Sequence, residues 1–76
     1  MKAKVYTAPG CAFCLLIENF LRQNKIAFEE IDVSKSGKAR EEMIKKSGQE
    51  SVPVTEINGK VIAGYKIREI REALGI

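Results

Sequence analysis

Cys11 and Cys14 are the only cysteines in the chain, and they stand three positions apart in the run Pro9-Gly10-Cys11-Ala12-Phe13-Cys14. A pair at this spacing can cycle between dithiol and disulfide, lend two thiolates to a metal, or be inert and buried. With no histidine and no second cysteine pair, a metal would find only two protein ligands. A closed zinc site would then need a second chain or outside ligands, so no metal is expected, and the redox reading leads. It requires one sulfur to ionise near neutrality, because only the thiolate attacks a disulfide and a free thiol has a pKa of about 8.5.

The elements around the pair can supply that ionisation. Apolar residues recur with helical spacing at Phe13, Leu16, Ile17, Phe20 and Leu21, opposite Glu18, Arg22 and Gln23, which predicts a helix starting at or just after Cys11 and ending near Asn24. Cys11 would then lie where unpaired backbone N–H groups and the positive end of the helix dipole favour an anion. Cys14 sits one turn further in among Phe13, Leu15 and Ile17, where burial keeps a thiol neutral. Position alone therefore assigns Cys11 as nucleophile and Cys14 as the sulfur that resolves the mixed disulfide. Pro9-Gly10 forms the tight turn that leaves Cys11 at its tip.

Residues 3 to 8 alternate, with Ala3, Val5 and Thr7 on one side and Lys4 and Tyr6 on the other, as a first strand does. A second strand is predicted from Ile26-Ala27-Phe28 through Ile31 and Val33, so that strand, helix and strand make a right-handed parallel βαβ unit. A polar helix opens at Ser36-Gly37, runs through Ala39, Met43 and Ile44, and ends on Gly48 as a left-handed cap. Val52 to Ile57 and Lys60 to Ala63 flank Asn58-Gly59, a strong hairpin signal. Ile67, Ile70, Ala73 and Leu74 give a closing helix. The order βαβαββα predicts an α/β domain over residues 1–76 with a four-stranded mixed sheet and three helices.

Composition narrows the function. The 76 residues carry 13 Lys and Arg against 10 Asp and Glu, a net charge of +3. The basic residues alternate with acids, as in Lys38-Ala39-Arg40-Glu41-Glu42, and form no stripe for a phosphate backbone, so nucleic-acid binding is not expected. Residues 1 to 6 lack the apolar segment of a signal peptide, and the longest uncharged apolar run is Ala12 to Ile17. The expectation is a cytoplasmic protein without membrane contact, in a compartment where a cysteine pair is more often catalytic than a permanent bridge.

Several segments together carry a resemblance. The Val-Tyr-Thr strand, the Cys-x-x-Cys opening a helix, Glu29-Glu30-Ile31-Asp32-Val33, Arg40 to Gly48, Ser51-Val52-Pro53 and Ala63-Gly64-Tyr65 occur in an order and spacing that resemble the glutaredoxins and the related NrdH-redoxins over essentially the whole chain. The resemblance implies a thioredoxin-like fold and a monomeric dithiol–disulfide oxidoreductase acting on protein or glutathione mixed disulfides. No cofactor would be bound, and electrons would come from glutathione or from thioredoxin reductase and NADPH.

It also implies that Val52 and a cis Pro53 present backbone to the substrate, that Gly64 and Tyr65 wall the same groove, and that Phe13, where Tyr is usual, joins them. Pro53 read alone also fits, less well, a proline beginning a strand, and Tyr65 is equally a half-buried core residue. Two positions depart from the glutathione-binding pattern: Ala8 stands where Lys is frequent, and Lys66 where an Asp follows the Gly-aromatic pair. The stretch from Ala63 to Ile70 is nearer to NrdH-redoxins, which draw on thioredoxin reductase and supply ribonucleotide reductase. A non-enzymatic alternative is a carrier that uses Cys11 and glutathione to bridge an iron–sulfur cluster between two chains.

Overall fold

β1 spans Ala3–Thr7, α1 Ala12–Gln23, β2 Glu29–Asp32, α2 Gly37–Ser47, β3 Val54–Ile57, β4 Lys60–Ala63 and α3 Ile67–Leu74. This is a computed structural model describing residues 2–76, so Met1, the first residue of the expected domain, lies outside the described residues. The expected βαβαββα order and mixed sheet are present. The strand order is β2-β1-β3-β4, with β1 parallel to β2 and antiparallel to β3, and β3 antiparallel to β4.

Both faces of the sheet are covered. Ala3, Val5, Ile57 and Ile62 meet Ile17 and Leu21 of α1 and Ile70 and Leu74 of α3 in one core. On the other face Tyr6, Val33 and Val54 pack on Met43 of α2. Because β1 sends side chains alternately up and down, Val5 and Tyr6 are both fully buried, one in each layer.

Only Met43 of α2 is buried, so this charged helix needs polar attachment as well. The Tyr6 hydroxyl donates to Glu42 Oε1 at 2.6 Å, and Lys46 Nζ donates to the Tyr6 oxygen at 3.2 Å, to Glu42 at 3.1 Å and to Glu56 at 2.8 Å. The Glu56, Tyr6 and Glu42 contacts raise the Lys46 pKa, while the Tyr6 and Lys46 hydrogen bonds hold Glu42 below the ordinary carboxylate range.

Local chemistry sets the ends of the elements. Ser36 Oγ accepts from the Ala39 N–H at 3.2 Å to cap α2, and Gly48 ends it at φ 70°. Asn58 and Gly59 both have positive φ, at 50° and 89°, as a two-residue hairpin turn requires.

Three expectations need correction. β2 begins at Glu29: Lys25 turns at φ 58°, the Ile26 N–H donates to Leu21 O at 2.9 Å, and Ile26 and Phe28 pack on the core from a loop. Their β-like composition reflects burial under α1 and no ladder pairing. β3 starts at Val54, two residues later than Val52. In α1 the core face is Cys14, Ile17, Glu18 and Leu21, whereas Phe13 and Leu16 are 55% and 47% exposed. With residues 12 to 17 all apolar, two stripes fit the helical period, and the one containing a glutamate is the one that faces inward.

Candidate active site

The register of the sheet gathers the predicted site residues at one edge. Thr7 at the end of β1 pairs with Asp32 at the end of β2, Tyr6 pairs with Val54 at the start of β3, and Val54 pairs with Ala63 at the end of β4. The loops that leave these positions carry Cys11, Pro53, Gly64 and Tyr65. A turn with Pro9 and then Gly10 at φ 79° closes with the Cys11 N–H donating to Ala8 O at 3.3 Å. Proline followed by a residue with positive φ is the pattern of a type II turn. That turn delivers Cys11 as the N-cap of α1.

Cys11 Sγ accepts a hydrogen bond from the Cys14 N–H at 3.1 Å, one of the free donors of the first helical turn. The two cysteines form a disulfide, with Cα atoms 5.3 Å apart, inside the range such a bond spans. Cys11 is half-buried and Cys14 is 1% exposed. The pair is therefore asymmetric: one sulfur is reachable and faces backbone donors, and the other is packed in the interior.

The remaining predicted residues are tied to one another and, through Phe13, to the cysteine motif. The Val52–Pro53 peptide bond is cis, and the Gly64 N–H donates to Pro53 O at 2.9 Å, which ties the two loops. Tyr65 is 42% exposed and stacks on Phe13, with ring centroids 5.1 Å apart and planes at 28°. At this exposure Tyr65 is not a core residue. The stack also explains why Phe13 faces outward. Phe13, Leu15, Leu16 and Tyr65 leave exposed apolar surface on and beside α1. A cleft of about 540 Å³ joins Ala8 to Val52, with Val33, Arg40 and Ser51 among its walls. Lys66 lies outside α3 as its N-cap, with Nζ 3.8 Å from Glu69.

One group in the site was not singled out from the sequence. A second cleft, of about 210 Å³, has Cys11, Leu15, Glu18, Glu30 and Asp32 among its walls. Glu18 was expected on the polar face of α1 but is 1% exposed, and its Oε2 has no hydrogen-bond partner. Burial, together with the hydrogen bond and charge of Glu30, pushes its pKa up to about 7. The available signal was its spacing, one turn beyond Cys14 and three residues before Leu21. Asp32 instead accepts from the Ser34 hydroxyl at 2.6 Å and the Ser34 N–H at 2.8 Å, which hold its pKa below the ordinary value.

A carboxyl with a raised folded-state pKa favours folding below its ordinary value and loses that contribution as pH rises toward the folded value. For Glu18 the window runs from 4.5 to about 7. Glu18→Gln is therefore expected to leave stability at pH 5 nearly unchanged and to raise it at pH 8 by on the order of 2 kcal/mol. Urea midpoints of both proteins at the two pH values check this.

A βαβαββα sheet with a half-buried N-cap cysteine linked to an interior one defines a dithiol–disulfide oxidoreductase on a thioredoxin-like fold. The comparisons with known proteins agree. The glutaredoxin family model matches residues 3–62. A glutaredoxin-like 8.6 kDa protein of the rubredoxin operon of Clostridium pasteurianum is 37% identical over 67 residues, covering 88% of this chain and 89% of its own. Glutaredoxin 3 of Escherichia coli K12 is 33% identical over 61 residues, 80% of this chain and 74% of its own. The crystal structure of the thioredoxin-like protein BC3987 superposes with a TM-score of 0.88 at 35% identity, over 93% of this chain and 97% of that one. The chain belongs to the glutaredoxin family and is a thiol–disulfide oxidoreductase. Among the described residues no helix is long and apolar enough to cross a membrane.

Proposed function

We propose that the protein reduces disulfides of protein substrates, with Cys11 attacking and Cys14 resolving. The observation that carries this is the Cys11 sulfur at the N-terminus of α1, accepting the Cys14 N–H while Cys14 itself is buried. The Cys11 thiolate attacks one substrate sulfur, forming a mixed disulfide and releasing the other sulfur as a thiolate that takes up a proton. The Cys14 thiol then loses its proton, attacks the Cys11 sulfur and displaces the substrate sulfur bonded to it as a thiolate that takes up a proton, so two electrons leave the protein and the Cys11–Cys14 bond forms.

The exposed Phe13–Tyr65 pair, with Leu16 one turn along α1, is where an apolar substrate segment would settle. The backbone of Val52 and Pro53, with Gly64 beside it, is the edge along which its extended chain would pair. Ala8 supplies no cation for a glutathione carboxylate, and Lys66 places a cation where an ammonium would need an acid. These two positions favour a flavoprotein reductase of the thioredoxin reductase type as electron source.

NADPH oxidation coupled to reduction of a disulfide-bonded protein is the test. Turnover with thioredoxin reductase is expected to exceed turnover with glutathione and glutathione reductase. The reverse order would assign glutathione as the donor.

A further inference from the structure

Cys14 must lose a proton before it can attack, and the chain has no histidine to take it. Cys14 is also 1% exposed, which keeps bulk water away from its sulfur. The buried residues of α1 are Cys14, Ile17, Glu18 and Leu21, so Glu18 is the one carboxyl on the inner face that carries the thiol. Residues four apart on a helix are neighbours, with Cβ atoms about 5 to 6 Å apart, and helical side chains lean toward the N-terminus. Glu18 leans that way, since it lines the same cleft as Cys11 at the start of the helix.

The two oxygens of this carboxyl are not alike. The group is hydrogen-bonded to Glu30 of β2, yet Oε2 is sealed from solvent and has no partner. A buried acceptor left open is costly, and a redox role is one of the reasons a fold keeps one. In the disulfide neither sulfur bears a hydrogen, so neither can donate to that oxygen. Reduction puts an S–H on Cys14, one turn back on the same face. The missing donor is then one that exists only in the reduced protein.

We propose that Glu18 is the internal proton acceptor for Cys14 in the resolving step, and that Glu30, which is exposed, returns the proton to solvent. In the mixed disulfide the Cys14 proton moves to Glu18 Oε2, and the electron pair left on Cys14 makes the bond to Cys11 Sγ. The bond from Cys11 to the substrate sulfur breaks, and that sulfur leaves as a thiolate protonated by solvent. The inference rests on Cys11 attacking and Cys14 resolving. Glu30 and Arg22 are the charged groups that act on Glu18 directly, and the Arg22 guanidinium is held by Asn19 Oδ1 at 3.3 Å. Asp32 is the remaining charge of the cleft. Burial and Glu30 keep Glu18 protonated up to about pH 7, and below that pH it cannot accept.

The test follows the two steps separately with 4,4′-dithiodipyridine, an uncharged disulfide that releases one thiopyridone on attack and a second on resolution. Reduced protein is mixed in excess by stopped flow. The attack phase then scales with protein concentration and the resolving phase does not.

In the wild-type protein the resolving rate is expected to rise from pH 5.5 and level off above pH 7.5, the profile of a group titrating at about 7. In Glu18→Gln it should be at least about tenfold slower at pH 7.5 and climb with pH without levelling, while the attack phase stays within about threefold. The two proteins should converge near pH 5.5. Glu30→Gln removes a charge that raises the Glu18 pKa, so it should keep the plateau and move its midpoint down by about half a pH unit or more. An unchanged resolving rate and pH profile in Glu18→Gln would overturn the proposal and leave the oxidoreductase reading intact, as would equal slowing of both phases. Release of a single thiopyridone by the wild-type protein would mean that Cys14 does not resolve, and would overturn both.

Discussion

Cys11→Ser is expected to reduce disulfide turnover by at least about a thousandfold, because a hydroxyl at the N-cap of α1 stays protonated where a thiol ionises. The loss should be chemical and not structural. Cys11 is half-buried at the tip of the Pro9-Gly10 turn, and a serine can accept the Cys14 N–H as the sulfur does. Cys14→Ser separates the two halves of the reaction. The attack remains and the resolution is lost, so this variant should accumulate a covalent adduct with its substrate, visible as an added mass that dithiothreitol removes. Parallel activity assays and intact-mass spectra of the two variants check both statements. An active Cys11→Ser protein would require the buried sulfur to be the nucleophile.

Leu21→Ala is expected to have the largest effect on stability. Leu21 is completely buried in the layer between α1, the sheet and α3, and truncating such a leucine costs about 3 kcal/mol through lost transfer energy and the cavity left behind. A domain of this length has a total stability of only about 4 to 11 kcal/mol. The variant should therefore melt on the order of 15 °C lower in calorimetry. A shift of two or three degrees would mean that α1 is held mainly by its polar and covalent contacts at Cys11 and Cys14. It would then be the redox state of the pair, more than its packing, that keeps the first helix in place.

What could be read from the chain was the chemistry that acts within a few residues. Ser36 with Gly48 bounded α2, Asn58-Gly59 named its turn, and Pro9-Gly10 before a helical repeat placed Cys11 at a helix start. These signals depend on backbone angles and caps that a short segment determines by itself. The contacts that escaped depend on partners far along the chain. Tyr6 gives no sign that its hydroxyl meets Glu42 and Lys46, 36 and 40 positions away. Ile26 to Phe28 read as a strand because apolar burial and ladder pairing favour the same residues. Glu18 read as solvent-facing because glutamates seldom lie in a core, and its neighbour there, the Glu30 carboxyl, is in reach only once β2 is beside α1. The reading of Val52, Pro53, Gly64 and Tyr65 as a substrate groove came through resemblance. The stacking of Tyr65 on Phe13 supplied the physical reason for both rings to stay at the surface.

The most direct test is the ionisation of the two thiols in the reduced protein. Iodoacetamide alkylation across pH 4 to 9, with the modified residue assigned by peptide mass, should give Cys11 a midpoint below about 7.5 and leave Cys14 unreactive until well above it. A Cys11 midpoint near 8.5, or equal rates for both sulfurs at pH 6, would contradict the assignment of a helix-activated nucleophile and a buried resolving thiol.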